Sequence, residues 1–161
     1  MRLKKIISGG QTGADQGALD GARSCCFDYG GAIPAGRKTE AGALPEHYNM
    51  VELASDHYPV RTEKNVVDAD GTLIVSNGSL SGGSLLTLRI ARDHNKHCIH
   101  INFEKEEFSS AVEKVIAWVS ENHIEILNVA GPRASSDPRI YGLTHRLVTD
   151  LLLFSGTDHE G

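Results

Sequence analysis

The stretch Lys5-Ile-Ile-Ser-Gly-Gly-Gln-Thr-Gly-Ala-Asp-Gln-Gly17 decides how the chain begins to fold. Its apolar start predicts a β-strand over residues 4–8, and the glycines and alanines after it predict a helix over 13–26. The turn between them leaves backbone N–H groups accessible at a helix N-terminus, where the helix dipole favours an anion. The Gly-Lys-Ser/Thr of ATPase phosphate loops does not follow. The turn is either a phosphate cradle of another kind or a tight connection without a ligand.

The residues of this turn are the first candidate ligand contacts: Gly10, Gln11, Thr12 and Gly13. Thr12 and Asp15 have the spacing of a capping box, with Thr12 as the N-cap. Asp15 either caps the helix or binds a ribose, an amino group or a metal-bound water. Because glycine costs about 1 kcal/mol inside a helix relative to alanine, the glycines at positions 13, 17 and 21 predict close approach of this helix to the sheet or to a ligand.

Composition limits the classes of partner. The chain has 161 residues, enough for one domain, and a formal net charge of −5. Aromatic residues make up only 6% of it, and no long basic run occurs, so nucleic-acid binding is disfavoured. No apolar segment is long enough to cross a membrane, and no signal peptide precedes the first strand. We therefore expect a cytoplasmic protein. Its three cysteines lack metal-site spacing and predict free thiols and no metal site.

Apolar runs alternate with helical patterns along the rest of the chain. The predicted strands are 4–8, 28–33, 72–75, 97–101 and 124–130, and the predicted helices are 13–26, 62–69, 84–94, 106–122 and 140–154. Such alternation predicts an α/β fold in which right-handed crossovers place helices on both faces of a parallel sheet. We expect a single domain over residues 1–161, a three-layer sandwich with a mainly parallel sheet of at least five strands. Ligands of such sheets bind beyond the carboxyl ends of the strands.

Polar and glycine-rich segments follow four of these strands and should meet at one edge. After the third strand, Gly82, Gly83 and Ser84 form a second helix N-terminus suited to a phosphate or carboxylate, unless the segment is only a flexible connector. After the fifth, Arg133 is either a bidentate phosphate clamp or part of a surface ion pair. Arg37 adds positive charge to the same edge. No nucleophile with an obvious base is present, so no catalytic residue is assigned.

Several motifs together resemble one family. They are Ser8-Gly-Gly-Gln-Thr-Gly-Ala-Asp15, Gly36-Arg-Lys-Thr-Glu40, Arg61-Thr-Glu-Lys-Asn-Val66, Ser81-Gly-Gly-Ser84 and Asn128-Val-Ala-Gly-Pro-Arg133. The chain resembles the molybdenum-cofactor carrier-like proteins, which share a Rossmann-like superfamily with DNA-processing protein A and the "lonely guy" or lysine-decarboxylase-like proteins. The resemblance implies a three-layer Rossmann-like sandwich that binds molybdenum cofactor (molybdopterin) or a related phosphorylated pterin or nucleotide. It also implies a homo-oligomer, a dimer or tetramer, and a molybdoenzyme as a possible recipient.

One departure bears on catalysis. The phosphoribohydrolases of this superfamily carry P-G-G-x-G-T-x-x-E, and Thr87 stands where the catalytic Glu would be if Gly83-Ser84 occupies the Gly-Thr position. A threonine cannot stabilise an oxocarbenium ion as a carboxylate can. We therefore expect a binding or carrier protein rather than an enzyme. The alternatives are a nucleotide N-glycosidic hydrolase and a nucleotide-ligand sensor.

Overall fold

The computed structural model describes residues 1–157, in which strands and helices alternate as expected. The helices are α1 (Ala14–Ser24), α2 (Tyr58–Asp68), α3 (Gly82–Asp93), α4 (Phe108–Glu121) and α5 (Ile140–Thr157). The strands are β1 (Lys5–Ile7), β2 (Tyr29–Gly30), β3 (Ala32–Ile33), β4 (Lys38–Thr39), β5 (Gly42–Ala43), β6 (Val51–Glu52), β7 (Gly71–Ser76), β8 (His97–Asn102) and β9 (Ile126–Ala130).

The central sheet contains five parallel strands in the order β2-β1-β9-β7-β8. Strand β7 is buried along its whole length, as expected for a strand covered on both faces. The last strand of the sheet, β9, lies between β1 and β7, so the loops after these three strands open at one edge. The predicted α/β fold with a five-stranded parallel sheet is confirmed. Two short pairings, β3 with β6 and β4 with β5, lie outside this sheet.

The largest core cluster joins the sheet to α1, α4 and α5, whereas α2 and α3 pack against each other. The glycines of α1 are explained by α5. A Cβ on Gly17 would lie 2.6 Å from the Tyr141 carbonyl oxygen, and one on Gly21 would lie 3.1 Å from that of His145. The expectation of close approach to the sheet or a ligand is wrong for these two glycines, because the close neighbour is another helix backbone.

Most predicted boundaries shift by a few residues, and three of the changes are informative. Helix α2 begins at Tyr58 rather than at residue 62, because a proline in its first turn fits helical geometry without losing a hydrogen bond. The predicted strand 28–33 is divided at Gly31, whose φ of 126° breaks the extended backbone. Helix α1 begins at Ala14 with Gly13 as its N-cap and without a side-chain cap.

The capping box is therefore wrong. Thr12 Oγ1 instead accepts a hydrogen bond from the Ala134 N–H at 3.1 Å and donates one to Glu40 Oε1 at 2.5 Å. The Thr12 hydroxyl, which the local pattern assigned to the start of the helix, is hydrogen-bonded instead to residues of two other loops.

Among residues 1–157, no helix combines the length and apolar character that a membrane span requires.

Candidate ligand-binding site

A cavity of about 300 Å³ lies where the loops after β1, β7 and β9 meet. Its volume is at the lower end of the range for small-molecule sites. Polar residues dominate the wall, which is built from three loops and one face of α2. The residues that matter below are Gln11, Asp15, Arg61, Asn77, Gly82, Gly83, Ser84, Thr87, Arg133 and Asp137. Three of the four segments expected to converge at this edge line the cavity, and the segment after the second predicted strand does not.

The N-terminus of α3 opens into this cavity. Its N-cap, Ser81, makes no side-chain capping hydrogen bond, and the first N–H groups of any helix lack intrahelical partners. A Cβ built on Gly82 or Gly83 would meet no heavy atom within 4 Å, so a ligand can approach this backbone closely. Ser84 is buried and adds its hydroxyl to the wall. These three residues lie where the sequence predicted an anion-binding turn.

The N-terminus of α1 is different, because the protein already uses its donors. The Gln11 N–H donates to Asp15 Oδ2 at 3.2 Å, the Thr12 N–H to Gln11 Oε1 at 3.0 Å, and the Ala14 N–H to the Pro132 carbonyl oxygen at 3.1 Å. An internal carboxylate and two internal carbonyl oxygens therefore take the place that the sequence pattern offered to a ligand anion.

Gln11 lines this part of the cavity and has an unpaired side-chain donor. Its Oε1 accepts hydrogen bonds from the backbone N–H groups of Thr12 and Glu40, at 3.0 and 2.9 Å, which sets the orientation of the amide. Its Nε2 is buried and has no hydrogen-bond partner among residues 1–157. Since an unpaired buried donor costs about 1–3 kcal/mol, this amide favours a ligand that brings an acceptor.

Asp15 and Arg61 form a buried ion pair on the cavity wall. Arg61 Nη1 lies 3.1 Å from Asp15 Oδ2 and donates to the Gly9 carbonyl oxygen at 2.9 Å. Burial raises the pKa of the Asp15 carboxyl above its ordinary value, and the Arg61 guanidinium and the Gln11 N–H oppose that rise. The Asp15 carboxylate accepts an N–H from the turn before α1, but its partner there is Gln11 and not the N-cap residue Gly13.

Three cations surround the ring of Tyr58 beside the cavity. The Lys38 Nζ lies 4.6 Å from the ring centroid, and the guanidinium carbons of Arg61 and Arg133 lie at 5.3 and 5.6 Å. Arg133 lines the cavity, is about half exposed, and has its Nη1 3.9 Å from Glu40 Oε2. It is available to a ligand and also takes part in the surface ion pair that was its alternative role.

Four sequence-predicted contacts do not line the cavity: Gly10, Thr12, Gly13 and Arg37. A Cβ on Gly10 would lie 2.8 Å from Ile33, and one on Gly13 would lie 2.5 Å from the Pro132 carbonyl oxygen. The Arg37 guanidinium donates to the carbonyl oxygens of Leu44, Pro45 and Tyr48. These residues shape and brace the loops next to the cavity.

Sequence reasoning from local pattern missed several wall residues. Arg61 appeared only within a family motif and was not assigned to the site. Asn77 Nδ2 donates to Asp137 Oδ2 at 2.6 Å and so links the loops after β7 and β9. Burial opposes ionisation of Asp137, but hydrogen bonds from Asn77 and Arg139 lower the pKa of its carboxyl. The only signal for Asn77 was its position directly after a buried strand.

The fold and the cavity define the class of protein. A parallel sheet with an open, glycine-rich helix N-terminus at its carboxyl edge is a Rossmann-like arrangement for binding small molecules. Among residues 1–157, no group of three or more His, Cys, Asp or Glu side chains is placed to hold a metal ion.

Comparison with known proteins identifies the family. Residues 6–152 match the circularly permutated YpsA SLOG family, and the chain belongs to that family. The chain is also similar to a crystal structure of a protein named "Putative molybdenum carrier protein" from Syntrophus aciditrophicus SB. The two are 47% identical with a TM-score of 0.92, over 94% of this chain and 96% of that chain. The resemblance to molybdenum carrier proteins is confirmed. No curated protein matches the chain.

Proposed function

We propose that this protein binds and carries molybdenum cofactor or a related phosphorylated pterin or nucleotide. The observation that carries the proposal is the open N-terminus of α3, with Gly82 and Gly83, in a cavity that is also lined by Gln11, whose amide Nε2 has no hydrogen-bond partner. A phosphate group suits the helix N-terminus, and a carbonyl or ring nitrogen suits an amide donor. The name of the similar crystal structure supports the choice of cargo.

In the proposed complex, the N–H groups of Gly82, Gly83 and Ser84 bind the phosphate. Arg133 adds a charged contact from the opposite loop, since a guanidinium can bind two phosphate oxygens at once. Gln11 Nε2 donates to an acceptor on the ligand. Asp15 holds Arg61 in place rather than binding a ligand anion, because two like charges would repel each other in a buried site.

The proposal also covers the oligomeric state of the carrier, its compartment and the recipient of its cargo. A dimer or tetramer in the cytoplasm would deliver its cargo to a molybdoenzyme, as the resemblance implies. A carrier needs binding without turnover, and Thr87 is consistent with this. Its hydroxyl donates to the Gly83 carbonyl oxygen at 2.9 Å, within α3, and it offers no carboxylate to the cavity.

Native mass spectrometry of protein purified from a molybdate-supplied host tests this function. We expect an additional mass that corresponds to a phosphorylated pterin or nucleotide, with molybdenum detected by elemental analysis and pterin by fluorescence. The same protein from a host without pterin-cofactor synthesis serves as the control. A protein that carries no such mass, and that binds neither a phosphorylated pterin nor a nucleotide added in solution, would refute the proposal.

A further inference from the structure

The Glu40 carboxylate lies in a set of donors, here called the rim, that includes the cavity-lining residue Arg133. Its Oε1 accepts the Thr12 hydroxyl at 2.5 Å and the Ser135 N–H at 3.0 Å, and its Oε2 accepts the Ser135 hydroxyl at 2.5 Å. The Arg133 Nη1 lies 3.9 Å from Oε2. The carboxylate therefore has one cation and three hydrogen-bond donors around it, which is how proteins bind an anionic oxygen group.

These donors come from parts of the chain far from Glu40. Thr12 belongs to the turn after β1, and Ser135 and Arg133 belong to the loop after β9. Glu40 itself lies between β4 and β5, a short hairpin outside the main sheet. The pKa of the Glu40 carboxyl is lowered, chiefly by the hydroxyls of Ser135 and Thr12, so the side chain is held there as an anion. A phosphoryl group could use the same donors.

The rim is connected to the cavity through Gln11. The Glu40 N–H donates to Gln11 Oε1 at 2.9 Å, and this contact holds the amide with its Nε2 buried and unpaired. Departure of Glu40 would remove one of the two bonds that set this orientation and would let the amide turn toward a ligand. The unpaired donor is thus a feature of the state in which Glu40 is in place.

We propose that Glu40 is an internal anion that occupies a second anion-binding subsite, formed by Thr12, Ser135 and Arg133. A ligand with two phosphoryl groups, or with a phosphate and a carboxylate, displaces Glu40 and binds both at this subsite and at the N-terminus of α3. The inference rests on the proposed function and deepens it, because it selects ligands with two anionic groups.

Titration calorimetry with inorganic pyrophosphate tests this subsite. Replacing Glu40 by Ala removes the competing carboxylate, so we expect pyrophosphate to bind about tenfold more tightly than to the wild type. Glu40→Gln keeps the hydrogen-bonding shape without the charge and should give a smaller gain. Glu46→Ala is the matched control. It removes the same charge from a nearby exposed position and should leave the affinity within about twofold of the wild-type value.

The gain in pyrophosphate affinity should disappear when Ser135→Ala is added to Glu40→Ala. Unchanged or weaker pyrophosphate binding by folded Glu40→Ala would overturn the proposal and leave Glu40 with only the role of connecting two loops. An equal gain in pyrophosphate affinity in Glu46→Ala would also overturn it. The proposed function is judged separately, by the cargo that co-purifies with the wild type. A loaded wild type with no gain in affinity in Glu40→Ala contradicts only the subsite, whereas a wild type that is purified empty and also binds no added phosphorylated pterin or nucleotide contradicts the function.

Discussion

Gly83→Val is the sharpest test of the helix N-terminus as a phosphate site. A Cβ at this position meets no heavy atom within 4 Å, and Gly83 lacks the positive φ of its neighbour Gly82. The valine should therefore fit the fold, with a change in the free energy of unfolding of at most about 0.5 kcal/mol. Its branched side chain would stand where a ligand must approach the backbone. Hydrogen bonds from N–H groups to a charged ligand contribute about 1.5–3 kcal/mol each.

Loss of one such bond should weaken binding by about tenfold to a hundredfold. The assay is the amount of ligand bound per protein chain after identical purification, measured by native mass spectrometry, with thermal unfolding of the same samples. Gly142→Val is the matched control, because a Cβ there also meets no heavy atom within 4 Å but lies in α5, away from the cavity. Equal occupancy in Gly83→Val and Gly142→Val, with both proteins folded, would refute the phosphate role of α3.

Three further predictions follow from the cavity wall. Arg61→Ala leaves the buried Asp15 carboxylate without its cation, so the free energy of unfolding in urea should fall by about 3–5 kcal/mol; a loss below about 1 kcal/mol would contradict the importance of this pair. Arg133→Ala should weaken binding of guanosine monophosphate by about 2–3 kcal/mol but spare guanosine, with partial recovery in Arg133→Lys; equal losses for both ligands would argue against phosphate contact. Nucleoside monophosphates should release no free base in a chromatographic assay, because Thr87 replaces the expected acid. Turnover that is lost in Asp15→Asn would favour a hydrolase.

Local pattern was enough for the architecture of the sheet. The continuous apolar run at residues 72–75 predicted a strand, and the structure buries all of Gly71–Ser76. Apolar side chains at helical spacing predicted a helix over 106–122; of that predicted face, Val115 and Val119 are fully buried, and Phe108, Val112 and Ile116 are partly buried against the core. These features could be predicted because the periods of strands and helices place apolar side chains on one face whatever the rest of the chain does.

Local pattern failed where a polar group had two possible partners. Thr12 had the spacing of an N-cap, but its hydroxyl binds Glu40 and Ala134 instead. Arg37 had the charge expected of a ligand contact, but its guanidinium serves three carbonyl oxygens of the loop that ends at Tyr48. The competing partners are distant in sequence, and nothing in the local spacing indicates that they are near.

By itself, the sequence determined the fold class, the edge of the sheet where a ligand site should lie, and the two glycine-rich helix N-termini at that edge. Tertiary structure alone decided which of the two is open. The α1 turn is filled by Asp15, Gln11 and the Pro132 carbonyl oxygen, whereas a Cβ on Gly82 or Gly83 in the α3 turn would meet no heavy atom within 4 Å. The reason is physical. The spacing of apolar residues along the chain determines which side chains of a strand or helix are buried. The pairing of buried polar groups depends instead on which loops the packed sheet and helices bring into contact.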